Sequence, residues 1–173
     1  AIGSNLPKNL VDLDNSVEKN ISLLAEAKNT TPNKITVCVL ERPRHDKIIS
    51  SLKKMNVNLK LISDGDVSGV IYIVDQNSPV DMYMGIGGGP EGVLAASALD
   101  TYDCQFQGRF IFKEKKDIIR AKKMGISDLD KKYDLNEIVS GDSIFCATGI
   151  THGDLVKGIE INDNNFLSET LVT

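Results

Sequence analysis

Asp81-Met82-Tyr83-Met84-Gly85-Ile86-Gly87-Gly88-Gly89-Pro90-Glu91-Gly92 changes character twice within one short stretch. Asp81 to Ile86 reads as a strand that runs straight into glycines. Pro90 then opens a helix carried by Val93, Leu94, Ala98 and Leu99, since proline's missing N–H is no loss at the first helical position. A strand, a glycine turn and a helix in succession are the repeating unit of an α/β sheet.

Working outward, the same alternation recurs. Leu13, Val17, Ile21, Leu24 and Ala25 stand at helical spacing after Asp12 or Asp14 as N-cap, and Thr30-Thr31-Pro32-Asn33 closes that helix. Ile35 to Leu40 is a β-branched run suited to a buried strand. Ile48, Leu52 and Met55 return to helical spacing, and Val57, Leu59 and Leu61 alternate as in a strand. A short helix over 67–74 follows. Beyond the glycines, Phe106 to Phe112 predicts a strand, and Lys113 to Met124 a helix capped by Gly125. Strands are expected at 143–147, 156–161 and 167–172, whereas Ala1 to Leu10 reads as irregular. The whole predicts an α/β layered domain: a mostly parallel central sheet with flanking helices. Residues 1–33 form an opening segment and helix, and 34–173 the α/β substrate-binding domain. Ligands of such sheets bind outside the carboxyl ends of the strands.

At 173 residues, with 41% hydrophobic and 25% charged residues, the chain can bury a core of its own. A net charge of −4 without a basic run argues against nucleic acid, so an anion must be met by a few placed cations and amides. There is no apolar run of the ~18–20 residues a membrane span needs. No N-terminal signal peptide is visible either. Cys38, Cys104 and Cys146 make no C-x-x-C pair, and all three are expected to be reduced and structural. Two histidines away from a cysteine pair exclude a zinc site. The chain starts at Ala1 without methionine and stops inside an apolar, strand-like stretch, which reads as a piece of something longer.

Chemistry-bearing residues follow successive strands. In Glu41-Arg42-Pro43-Arg44-His45-Asp46, Pro43 biases Arg42 to extended backbone, and two cations spaced i, i+2 then project to one side. Guanidinium forks so placed suit a phosphate; otherwise the run is a solvated start to a helix. Asp64-Gly65-Asp66 offers carboxylates for sugar hydroxyls or a divalent cation, or else a tight turn with helix caps. The glycine loop presents amides at a helix N-terminus, an anion-binding nest. Gly87, Gly89 and Gly92 satisfy G-x-G-x-x-G, but Pro90 intrudes and no acidic residue closes a second strand, so a dinucleotide site is disfavoured. No Gly-Lys-Ser/Thr follows, so it is not a P-loop. Glu91 either complements the helix dipole or bridges to phosphate through a metal. The segment Ala147 to Asp154 also follows a strand; Thr148 or His152 there either touches ligand or, as such residues more often do, builds the turn. His45 has no serine or cysteine partner for a triad.

Taken together, these segments resemble the second half of the class II (GlpX-type) fructose-1,6-bisphosphatases. Arg42 to Asp46 matches that family's Lys/Arg-Pro-Arg-His-Asp/Glu run, and Asp64 to Val67 its Asp-Gly-Asp-Val. Gly85 to Val93 matches Gly-Ile-Gly-Gly-Ala-Pro-Glu-Gly-Val with Gly89 in place of alanine. Ala147 to Leu155 matches Ala-Thr-Gly-Ile-Thr-x-Gly-Asp-Leu. Order and spacing agree along essentially the whole chain.

The resemblance implies a layered fold similar to the lithium-sensitive sugar and inositol phosphatases. It implies hydrolysis of the 1-phosphate of fructose 1,6-bisphosphate with Mn²⁺ or Mg²⁺, in a cytoplasmic homo-oligomer. Arg42, Pro43, Arg44, Asp64, Gly65, Asp66 and Gly88 are the implied substrate contacts, and Glu91 the implied metal ligand. Arg42 stands where the family often has lysine, which keeps the charge and changes the donor geometry. The Asp-Pro-x-Glu-Gly-Thr motif and the substrate-contacting tyrosine of the family's first half have no counterpart here. The chain is therefore expected to be inactive alone. Sedoheptulose 1,7-bisphosphate is the alternative substrate, and a metal-free anion-binding module the alternative function.

Overall fold

The computed structural model describes residues 1–75, 77–153 and 155–173. Its centre is β1 (Thr36–Leu40), with β2 (Asn58–Ile62) on one side and β3 (Met82–Tyr83) on the other, both parallel to it. Successive side chains of a strand face opposite ways, and β1 is apolar on both faces. Val37 and Val39 join one core with Ile21, Leu24 and Leu52, from α1 (Val17–Ala27) and α2 (Asp46–Lys54). Cys38 joins the other face with Tyr72 and Val80. There α3 (Asp66–Ile71) and α4 (Gly89–Asp100) pack through Val70, Ala95 and Leu99. Helices thus cover both faces of the parallel sheet, as the alternation of elements predicts.

Beyond α4 the expected strands shorten and turn antiparallel. Of 106–112 only β4 (Gln107–Gly108) pairs, with β5 (Tyr133–Asp134). Between them α5 (Lys115–Lys123) ends at Gly125, whose φ of +89° is the left-handed cap the sequence calls for. The short α6 (Leu135–Ile138) follows β5. Then β6 (Cys146–Thr148) pairs with β9 (Thr170–Val172), while β7 (Glu160–Asn162) and β8 (Asn165–Leu167) form a ribbon of their own. The parallel sheet is therefore three strands wide, and the fourth candidate segment sits on an antiparallel pair.

Three further expectations are corrected. The cap of α1 is Ser16, whose Oγ accepts the Lys19 amide at 3.2 Å; Asp12 and Asp14 stand too far upstream. That helix ends at Ala27, with Asn29 left-handed at φ +50°, before Thr30 is reached. The opening residues are not all irregular: Ile2 is fully buried and bridges both Met82 and Gln105. Of the cysteines, Cys38 and Cys104 are buried and Cys146 is exposed, because β6 keeps one face in water.

Candidate functional site

Each parallel strand delivers one candidate segment at its carboxyl end. After β1, Arg42 is extended (φ −139°, ψ 147°), as the following Pro43 requires, and its Nη1 donates to the Glu41 carbonyl at 3.2 Å. Pro43 to His45 then tighten into a 3-10 turn. The two arginines thus do not share one extended stretch, so the i, i+2 alternation of a strand does not govern where their side chains go. Arg44 instead reaches across the sheet end, where its Nε donates to the Ile86 carbonyl at 2.5 Å.

His45 is the residue whose part the sequence did not disclose. It is fully buried. Its Nδ1 lies 2.7 Å from the Leu40 carbonyl, and its Nε2 accepts the Ile86 amide at 2.7 Å. The tautomer with its hydrogen on Nδ1 serves the Leu40 carbonyl and the Ile86 amide together, and Nε2 also lies 3.1 Å from the Ile86 carbonyl.

After β2, Gly65 adopts φ +87°, a conformation that favours glycine, and Asp66 starts α3. The Gly65 amide donates to Asp64 Oδ1 at 2.9 Å, so Asp64 caps its own turn. Asp64, Gly65 and Asp66 line a cleft of about 430 Å³ together with Val67, Ser68, Glu91, Phe145 and Ala147.

After β3 comes the glycine loop. Among the described residues, none from Gly85 to Gly92 has a positive φ, so the alternating conformation of a nest is absent. What the loop offers is the amide end of α4, whose N-cap is Gly88. Glycine is needed here for room. A Cβ on Gly87 would stand 2.9 Å from Asp66 Oδ2, and one on Gly88 would collide with the Glu91 carboxylate, which folds back over the loop. A Cβ on Gly85 would lie 3.2 Å from the Tyr83 hydroxyl. Burial, and then the Asp66 charge, push the Tyr83 phenol well above its ordinary range, so it stays a protonated donor beneath the loop. On the loop's other flank Phe110 rests against Gly89 and packs edge-on to Tyr133, with ring centroids 5.8 Å apart.

The structure therefore joins Arg44 and His45 to Ile86, Asp66 to Gly87, and Asp64, Asp66 and Glu91 to one cleft. Of the expected substrate contacts, Arg42, Pro43, Arg44 and Gly88 do not line that cleft. In the fourth segment, Thr148 Oγ1 hydrogen-bonds Thr170 Oγ1 at 2.9 Å, and His152 Nδ1 accepts the Gly158 amide at 3.2 Å. Both serve the local fold. Asp154 lies outside the described residues. Carboxylate oxygens are the right donors for Mg²⁺ or Mn²⁺, which ask for about six oxygens. Among the described residues, however, no three of His, Cys, Asp or Glu gather closely enough to hold an ion. This donor set does not make a metal centre by itself.

Comparison with known proteins bears on what this arrangement serves. Residues 1–173 match a family described as bacterial fructose-1,6-bisphosphatase, glpX-encoded. The chain is similar to a protein of Trichodesmium erythraeum named D-fructose 1,6-bisphosphatase class 2/sedoheptulose 1,7-bisphosphatase, at 35% identity over 95% of this chain and 52% of that protein. Proteins of the same name from Synechococcus sp. (strain JA-3-3Ab) and Synechococcus elongatus are 35% and 34% identical. Each match covers 95% of this chain, and 51% and 52% of the respective relative. The chain spans about half the length of the curated relatives it matches.

Proposed function

Because the chain belongs to the bacterial, glpX-encoded fructose-1,6-bisphosphatase family, we propose that it forms the sugar-bisphosphate-binding part of such a phosphatase. The observation that carries this reading is the meeting of three segments at the carboxyl ends of three parallel strands, Arg44 on Ile86 and Asp66 on Gly87. Cations, sugar-hydroxyl acceptors and helix amides are the groups a phosphorylated sugar requires.

In this reading Arg42 and Arg44, with Pro43 fixing the turn between them, hold a phosphate. Asp64 and Asp66, set by Gly65, accept hydrogen bonds from sugar hydroxyls, and the Gly88 amide contacts the ligand. These groups bind and orient, and orientation alone lowers a hydrolytic barrier substantially. Glu91 is placed to give one carboxylate to Mn²⁺ or Mg²⁺. Such an ion, when bound, supplies charge neutralisation at the phosphate that is cleaved. In this reading one carboxylate is too few for a hydrolytic metal site, and the chain by itself is inactive. The complete enzyme releases the 1-phosphate of fructose 1,6-bisphosphate to leave fructose 6-phosphate. We place it in the cytoplasm, as a homo-oligomer of gluconeogenic and glycerol metabolism; among the described residues no helix is long and apolar enough to cross a membrane.

A second reading, sedoheptulose 1,7-bisphosphate as substrate, is favoured by the double name of the relatives. Calorimetry on this chain with each sugar bisphosphate, with and without Mn²⁺, tests both. Saturable binding of either sugar supports the proposal, and the tighter one identifies the substrate. Binding of NAD with indifference to both sugars would overturn it. So would phosphate release by this chain alone, as far as the division of labour is concerned.

A further inference from the structure

The β1–β3 pairing is short, with Val37 beside Met82 and Cys38 beside Tyr83, and the chain after β3 stays alongside β1. The Met84 amide donates to the Cys38 carbonyl at 3.1 Å. Two residues further along each strand, the next bond would run from the Ile86 amide to the Leu40 carbonyl. Those two groups do not meet. The imidazole of His45 stands between them, accepting from Ile86 on Nε2 at 2.7 Å and bonding Leu40 through Nδ1 at 2.7 Å. The last rung of the ladder is present, with a ring inserted in it.

We infer that His45 is a positioning residue that wedges the glycine loop away from the sheet and so shapes the crevice where an anion meets the α4 amides. Three observations converge on it. The ring is fully buried with both nitrogens satisfied, which an apolar core residue of equal volume could not do for two backbone groups at once. Ile86 begins the loop, so fixing its amide fixes the direction in which Gly87, Gly88 and Gly89 leave the strand. Arg44, one residue before His45, holds the carbonyl of the same peptide residue. One turn of chain thus grips Ile86 by both of its backbone polar groups, and the arginine and the loop are held in one frame.

Without the wedge, Ile86 is free to close directly onto Leu40, completing the ladder and folding the loop onto the sheet. The role is specific to the far nitrogen, which separates it from simple core filling. Glutamine can place an amide oxygen where Nε2 stands, while asparagine reaches only as far as Nδ1.

The inference rests on reading the glycine loop as an anion site, and the test separates the two. His45→Gln and His45→Asn are made in this chain. The exchange rate of the Ile86 amide is followed by NMR, inorganic phosphate is titrated, and thermal melting is recorded. The expected result is a Gln variant that binds phosphate within about twofold of the parent, while the Asn variant loses at least about fivefold at a comparable melting temperature. The Ile86 amide exchanges faster in the Asn variant. Variants that bind phosphate equally well, or that lose binding and stability together, overturn the wedge. A parent chain that binds no phosphate, with Ile86 exchange still separating the variants, leaves the wedge standing and overturns the anion site.

Discussion

A carboxylate oxygen of Asp66 occupies the space beside Gly87, 2.9 Å from where a β-carbon at that position would stand. Two segments separated by the whole of α3 and β3 are thereby fitted to each other with no room to spare. Gly87→Ala forces Asp66 to rotate out of the cleft, at about 1 kcal/mol of overpacking. The expected outcome is a several-fold loss of sugar-bisphosphate affinity with a modest fall in melting temperature. Gly92 serves as the control, since nothing lies within 4 Å of a Cβ there. It sits inside α4, so Gly92→Ala should stabilise the chain by about 0.5–1 kcal/mol. Calorimetry and melting on the two variants decide whether crowding at position 87 is functional.

Arg44 and Glu91 should separate by the kind of defect they cause. Arg44→Ala removes the bond to Ile86 and, with it, the proposed phosphate contact, a loss of about 1.5–3 kcal/mol if both are made. In the complete enzyme this appears mainly as a raised KM. Glu91→Gln keeps the shape and removes the charge, so it should mainly lower kcat. Steady-state kinetics in which the two patterns are exchanged would contradict the assigned roles.

Cysteine chemistry follows burial. Burial pushes the Cys38 and Cys104 thiols up to about 11. At pH 8 about one such thiol in a thousand is ionised, and the buried sulfur is also shielded from reagent. Cys146 is exposed on β6. Brief iodoacetamide treatment of the native chain should therefore mark Cys146 alone, and all three cysteines only after unfolding. Peptide mass mapping reads the result directly.

An ion-pair cluster ties the opening segment to β4 and β5. Lys132 Nζ lies 2.7 Å from both Asp12 oxygens and 2.6 Å from Asp14 Oδ2, and Arg109 Nη2 reaches Asp14 Oδ1 at 2.7 Å. These contacts hold both aspartates below the usual carboxylate range, the hydrogen bonds from Lys132 being the largest cause. A carboxylate lowered in the folded state adds stability above its unfolded pKa and loses it as pH falls through the folded one. The melting difference between the parent and Lys132→Ala should thus be present at pH 7 and shrink below about pH 4. A difference that persists at pH 2.5 would show that packing, rather than charge, binds the segment.

Local periodicity carried the central fold. β1, β2, α2, α4 and α5 fall where the sequence puts them, although α4 buries Ala95, Ala96, Ala98 and Leu99 and leaves Val93 and Leu94 exposed. The cap of α1 was also within reach: Ser16 stands immediately before Val17, the first helical position. What could not be read were pairings with distant chain. Ile2 finds Met82 and Gln105, and β6 finds β9, through contacts that no local window contains. The same holds at the site. Three of the four segments do end the parallel strands, but His45 and Arg44 act on backbone atoms some forty residues away, and no side-chain pattern at position 86 records that. The antiparallel pairing after α4 escaped for a related reason, since a three-residue strand shows no alternation to measure.

The β7–β8 ribbon has a consequence for behaviour in solution. Ile161 and Phe166 stand directly opposite each other and are 67% and 75% exposed, so the ribbon shows sticky side chains together with unpaired backbone edges. Glu160, Asp163 and Glu169 stand near them in the chain and carry like charge. Like charge opposes the approach of one ribbon to another, and dissolved ions weaken that repulsion over about 8–10 Å near physiological strength. Colloidal stability should consequently decline as salt rises, the reverse of a protein whose contacts are electrostatic. Light scattering across a sodium chloride series would reveal this, and Phe166→Lys should restore clear, monodisperse solutions.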